Sequence, residues 1–547
     1  MPAAVFNILR TNCYTCHQEG QRDPSGWGSA LDLSRMIAGD IVVPGNLEQS
    51  RLWYRVAVRN DMPFNLNRLS PEDKGVLQQW ILEMKRPVVK PRTQEDILDI
   101  LVADQSRVGN NGDFRYLSFA HFVDEGRTQS ELKVLEGVTN VIINSLSRRP
   151  NLIRVEAVDA QRSIFRFRIS QLGWNAQDWD EVVKFYPYCE RSNRAEHRNL
   201  YNRLDTEAPV LRGDWFFSTA LLSPLYERLL DLPATRQELE QDLNIDLAAD
   251  VRASRVQRIG MDLSGVSQNQ RIIERHVLRQ QDYFWWSYDF AERLNATSDI
   301  RRNPLGPAAF TMNQFESVFA EAGGEGIFSL PNRMQGYFLV AAAGNFLSEA
   351  PTVIVQDPRR KTGAVQNGLS CFTCHTNQGM LFPKIYDDIL KFAEEHRADF
   401  NARDLAEIRK IYVRNGDLIL RADSARFQRN LQALGPTVTQ LIDTSGKTEW
   451  DPWVVLVSQY ESKIGLRGGA IELGISPSQA TVLFSRATGN NEDALPLKVQ
   501  DALITRKEFE CKYRAIVGQD VRKAANFCNG AFEDPQLVAF CDQVNAN

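Results

Sequence analysis

Two thiols three positions apart, followed at once by an imidazole, occur twice in this chain: Cys13-Tyr14-Thr15-Cys16-His17 and Cys371-Phe372-Thr373-Cys374-His375. The spacing suits covalent haem attachment, because the two thiols can add to the vinyl groups of one haem while the next side chain takes the iron. With 8 Cys and 6 His in 547 residues, one such pattern arises by chance on the order of once per thousand chains. Two by chance is negligible. A redox dithiol has no need of the following histidine, and a zinc site needs two further ligands that no nearby Cys pair supplies. The expected cofactors are two covalently bound c-type haems, one on Cys13, Cys16 and His17 and one on Cys371, Cys374 and His375.

The iron on His17 needs a ligand on its opposite face. Met62-Pro63 fits, since a thioether binds soft iron and the proline stiffens the loop that delivers it. His/Met coordination raises the reduction potential and closes the iron to substrate. The iron on His375 is less determined. Downstream only Met380 and His396 remain as ligands, and Met380 would have to cross the haem edge on a nearly extended chain. His396 shares a helical face with Ile385, Ile389 and Phe392, which points it at a core. His276 and His121 are the upstream candidates, with His276 ahead of both His396 and His121, and an open or water-bound iron is the alternative. Nothing in the sequence assigns a catalytic residue. Glu325 and Gln335 are polar groups of a type that assists peroxide cleavage, but such residues are more often surface groups. Tyr283 to Phe290 is an aromatic run that reads as core packing before it reads as an electron relay. Gly323-Gly324-Glu325-Gly326 reads as a turn, lacking the strand and helix of a nucleotide loop.

The elements that must position these groups read as mainly α. A short helix from Ala3 to Thr11 leads into the first motif, another runs from Ser50 to Val58, and Ser70-Pro71-Glu72-Asp73 caps a third through Trp80-Ile81. Arg86-Pro87-Val88-Val89-Lys90-Pro91 marks a boundary. Residues 92–320 read as a mostly helical middle region, with one strand at Ile164–Ile169. Residues 321–547 read as the second haem-binding region, in which Met334–Val340 pairs with Ala350–Val355 as a small β-hairpin before more helix.

A 43% hydrophobic content supports real cores, and a formal net charge of −5 gives no basis for nucleic-acid binding. No stretch approaches the apolar length of a membrane span. The first motif begins too near the start for a secretory signal, so the chain reads as the mature form of an exported, periplasmic or otherwise extracytoplasmic protein. Cys189, Cys511, Cys528 and Cys541 fit an oxidising compartment, with three pairings open and buried thiols as the alternative.

Residues 1–86 also resemble the planctomycete-type cytochrome c domain. The resemblance rests on Cys13-x-x-Cys16-His17, Ala30-Leu31-Asp32-Leu33, Ile41-Val42-Val43-Pro44-Gly45-Asn46, Ser50-Arg51-Leu52, Asp61-Met62-Pro63 and Leu69-Ser70-Pro71-Glu72 with Trp80-Ile81. It implies an all-helical cytochrome c fold with His17 and Met62 as axial ligands. Much of residues 92–515 is similar to uncharacterised bacterial proteins that join such a domain to a second haem module. That likeness is carried by Arg115–His121, Gly265-Val266-Ser267 through His276, Ser329–Asn332 and the Cys371 motif, and it implies architecture without a reaction.

The functional expectation is a periplasmic di-haem c-type cytochrome that exchanges electrons with a redox partner protein. The first alternative is a di-haem oxidoreductase, peroxidase- or oxygenase-like, with the His375 haem as reactive centre and the His17 haem as relay. The second is a structural haem protein.

Overall fold

A computed structural model of the chain describes all residues except 18–29, 39–40, 49, 65–67, 85–90, 110–111, 128, 262–268, 280–281, 291–298, 302–303, 307–320, 358–362, 376–378, 380–387, 415, 436–455, 458, 487–502, 520–525, 529–533, 535–536 and 542–547. Met380 and much of the expected linker lie outside the described residues.

One apolar cluster is drawn entirely from residues 5–84. Helix α1 (Ala3–Asn12) contributes Val5, Ile8 and Leu9, whose spacing puts them on one face. Helix α2 (Pro71–Glu83) starts as its sequence prescribes: Ser70 Oγ accepts from the Asp73 amide at 3.0 Å, Pro71 takes the first helical position, and Leu77, Trp80 and Ile81 face inward. The helix expected from Ser50 forms as a short α turn, Arg51–Trp53, that widens into a π-helical turn at Tyr54–Val58.

The remainder is mixed α/β. The described residues are about half helical with 16% strand, including a five-stranded antiparallel sheet, which corrects the mainly α expectation. Strands β1 (Phe114–Ser118), β2 (Glu156–Ala157), β3 (Ile164–Arg168) and β5 (Val210–Arg212) form one sheet in the order β2-β3-β1-β5, parallel only between β1 and β5. The short β4 (Glu190–Arg191) pairs instead with Asn526–Phe527 near the C-terminus. A second, five-stranded antiparallel sheet contains β6 (Gln257–Met261), β7 (Arg271–Val277), β8 (Tyr283–Asp289), β9 (Gly323–Ser329) and β10 (Gln335–Ala341), ordered β10-β9-β8-β7-β6.

This second sheet was hidden by its burial on both faces. Every residue of β8 is buried, so no polar/apolar alternation survives, and charged residues on β6 and β7 sit inside as matched pairs. Arg258 Nε donates to Glu274 Oε2 at 2.7 Å, and Arg275 Nε to Asp423 Oδ2 at 2.7 Å. The β8–β9 pairing also bridges residue 320, so the two regions on either side of that position share one sheet.

Two local expectations are corrected with it. β10 pairs with β9 upstream, whereas Ala350 pairs with Val365, so the expected hairpin has the wrong partner although the reversal at Ala341–Asn345 is present. The glycines at 323–326 lie in β9 and make no turn. A Cβ at Gly323 would stand 2.6 Å from the Val340 carbonyl oxygen, and one at Gly324 2.5 Å from both the Ser287 carbonyl oxygen and the Trp286 ring. They are small because strands and an indole crowd them.

Among the later helices, α3 (Ala120–Asp124), α4 (Gly213–Thr219), α5 (Leu369–His375), α6 (Asp388–Glu395), α7 (Leu466–Glu472) and α8 (Arg506–Gln519) carry the groups discussed below. Among the described residues, no helix is long and apolar enough to cross a membrane.

Candidate functional site

The first motif begins where α1 ends. The Cys13 amide donates to the Leu9 carbonyl at 2.9 Å, and the chain turns so that the Cys16 and His17 amides both donate to the Cys13 carbonyl, at 3.2 and 3.0 Å. Cys13 is buried in the cluster of the first unit, and Cys16 is exposed. Burial, with Cys16 beside it, pushes the Cys13 thiol up to about 12. A reactive Cys-x-x-Cys pair needs the opposite, a thiol lowered toward thiolate.

Met62 packs, half-buried, against the same cluster as Cys13. Its loop is held by charge. Arg55 Nε donates to Asp61 Oδ1 at 2.7 Å, Arg59 Nε approaches Asp61 Oδ2 at 2.9 Å, and Lys74 Nζ donates to Asn60 Oδ1 at 2.9 Å. The hydrogen bond from Arg55 is the main cause that holds the Asp61 carboxyl below its ordinary range. Arg68 donates to the Asp61 and Pro63 carbonyls, closing the loop from the other side.

The second motif lies on α5, with Cys371, Phe372 and His375 buried. Gly368 precedes the helix with φ +78°, and a Cβ there would meet the Leu221 carbonyl oxygen at 2.4 Å. Burial is again the largest cause that raises the Cys371 thiol. His375 Nδ1 stands 2.7 Å from the Gly379 carbonyl oxygen and donates to it, which fixes the tautomer with the lone pair on Nε2. This is the nitrogen a haem iron takes. The Gly379 amide returns a hydrogen bond to the His375 carbonyl at 2.7 Å. Gly379 has φ +69°, and a Cβ would come within 2.8 Å of Ser424 Cα, so only glycine brings its carbonyl there unstrained. The Tyr337 ring, on β10, lies 5.8 Å from the His375 ring, and the Tyr226 hydroxyl accepts from the Tyr337 amide at 3.0 Å.

The tentative ligands are placed elsewhere. Both ring nitrogens of His276 face carboxylates, Nδ1 with Asp250 Oδ2 and Nε2 with Glu274 Oε1, each at 3.0 Å. An iron bond would require one of these to break. Burial disfavours its charge, but the two carboxylates more than offset this and raise His276. His396 is exposed just past the end of α6, its ring stacked on Phe392 at 4.1 Å, which corrects the expectation that it points into a core. The helix stops one residue too early for the assumed face. His121 on α3 is bound to Asp214 at 3.0 Å. Gln335 is buried and bonded to Tyr283 and Tyr337, and Glu325 stands 3.5 Å from Arg271.

The eight cysteines divide cleanly. Cys189 bonds to Cys528 and Cys511 to Cys541, one of the three open pairings, while the four motif cysteines stand outside any disulfide. Among the described residues no three His, Cys, Asp or Glu side chains converge to hold a bare metal ion. The donor sets fit haem in chemistry: two thiols and an imidazole on one short stretch, twice, with a thioether in the first cluster. Gly368, Gly379 and Tyr337 escaped sequence reasoning, since only the Gly379 spacing is local and a single glycine gives no signal of its role.

Compared with known proteins, the chain matches no family model, no curated protein and no solved structure.

Proposed function

We propose that the chain is a di-haem c-type cytochrome that transfers electrons outside the cytoplasm. The observation that carries this reading is the partition of cysteines: the four that pair leave four others as thiols, and these are the two Cys-x-x-Cys-His sets. Two disulfides also support an oxidising compartment. Bound haem supplies a one-electron iron couple at each site. Cys13, Cys16, Cys371 and Cys374 hold it covalently, and His17 and His375 are the ligands on the attachment side. Met62 completes the first iron, on a loop that Arg55, Arg59 and Arg68 keep from relaxing. A sulfur ligand on a tied loop suits transfer to a redox partner protein, because the coordination need not change with oxidation state.

A second reading, with the His375 haem as a reactive centre, is favoured by the placement of the histidines. His276 is engaged by two carboxylates, His121 by Asp214, and His396 is exposed. None of them is poised as a sixth ligand. Electron paramagnetic resonance of the oxidised and half-reduced protein, followed by carbon monoxide titration of the reduced form, tests the two. Electron transfer alone predicts two low-spin signals and no carbon monoxide binding. A high-spin component that binds carbon monoxide and reacts with peroxide would replace it with the second reading.

A further inference from the structure

A cleft distant in sequence from both motifs is lined by Arg92, His121, Tyr186, Glu190, Ile97 and Ile471, among others. Arg212 and Glu472 also line it and belong to a buried charge network. Arg212 donates through Nε and Nη2 to Asp214 at 3.1 and 2.6 Å, and its Nη1 stands 2.5 Å from Glu472 Oε2. Arg506 grips the same Glu472 carboxylate with two hydrogen bonds of 2.6 and 2.8 Å. Two guanidinium groups and two carboxylates cancel there, so this layer offers a ligand no net charge. Burial opposes the charge on Asp214, but Arg212 and then His121 hold its carboxyl well below the ordinary range.

Three groups on the wall keep capacity. In the neutral ring, His121 giving Nε2–H to Asp214 leaves the lone pair on Nδ1, and Nδ1 makes no hydrogen bond among the described residues. Glu190 accepts from the Tyr513 hydroxyl through Oε1 alone. Arg92 uses Nη1 for Ser163 Oγ at 3.1 Å, with Asp159 at 3.9 Å, while its Nε and Nη2 make no hydrogen bond among the described residues. One cationic donor pair and two acceptors, one of them anionic, beside aliphatic walls match a specific ligand chemistry.

We propose that this cleft binds a small α-amino acid, with the carboxylate on Arg92 and the ammonium group between His121 Nδ1 and Glu190 Oε2. Asp214 is a positioning residue that fixes the His121 tautomer. Gly474, with φ +63°, lets the chain close against Arg92, since a Cβ there would stand 2.9 Å from the Arg92 carbonyl oxygen. The site is independent of the haem reading.

Isothermal titration of the full haem-loaded chain with glycine, alanine, serine and valine tests it. At least one should bind saturably, while acetate and methylamine, each carrying half of the zwitterion, should bind at least tenfold more weakly. Arg92→Gln and Glu190→Gln should each weaken amino-acid binding at least tenfold. The comparison with acetate and methylamine uses the unaltered chain, so it stands even where a variant fails to fold. No saturable binding of any of the four, equal binding of acetate, or full affinity in folded Arg92→Gln would overturn the proposal.

Discussion

At the scale of single residues, the chemistry resolves into ligands and the groups that aim them. On the proposed reading, Met62→Ala would remove a soft sulfur ligand while leaving His17 and both thioether bonds. The expected outcome is a lower reduction potential for the first haem, loss of the near-infrared Met-to-iron band, and access for small ligands. An unchanged band and potential would assign the sixth position to another residue. Gly379 acts one step removed. Gly379→Ala forces a side chain into the left-handed region and against Ser424, at a cost of roughly 2–4 kcal/mol. The thermal midpoint should fall, and the spectrum of the His375 haem should change because the imidazole loses its fixed carbonyl partner. The Cys-x-x-Cys-His sets were legible in the sequence because each is contiguous, with fixed local spacing. Gly379 and Tyr337 were not, because their roles depend on Ser424 and on the packing of β10 against α5.

At the scale of elements, the sheet β6–β10 is built around buried ion pairs, and its stability should carry their titration. Burial raises the Glu274 carboxyl, but Arg258, His276 and Tyr288 more than offset this and bring it to about 2 in the folded chain. A depressed carboxylate contributes stability that is fully present above its unfolded pKa of 4.5 and is lost as pH falls toward 2. The full effect is roughly 3 kcal/mol. Urea unfolding across that range should show the decline, and Glu274→Gln should flatten it while lowering stability at neutral pH, since Arg258 is left buried without its counter-charge. His276 works in the opposite sense: its raised pKa gives stability that is complete below its unfolded value and fades as pH rises through the folded one. Helix caps such as Ser70-Pro71 could be read directly, because they are local chemistry. Strands β6 to β8 could not, since charges inside and apolar residues on both faces erase the alternation that marks a strand.

At the scale of the whole molecule, the C-terminal segment is tied to the middle of the chain. The Cys189–Cys528 bond closes a sequence separation of 339 residues. In the loop-entropy account such closure constrains the unfolded chain by roughly 6 kcal/mol. Cys528→Ala should therefore lower the thermal midpoint by more than Cys541→Ala, whose bond closes a separation of 30; equal losses would show that entropy is not the main term. The pairing could not be chosen from sequence because it depends on β4 meeting residues 526–527. In the first unit, by contrast, helix α1 and the capped start of α2 were legible, as their signals are local and their core comes from one continuous stretch. The central claim is that two haems are bound covalently, one at each motif, and intact-mass spectrometry tests it most directly. The chain is expressed with a haem-attachment system and denatured in acid and organic solvent before measurement. Two haem-sized increments on the polypeptide, each lost when one motif's cysteines are replaced by alanine, is the predicted result. A single increment, or none, would contradict it.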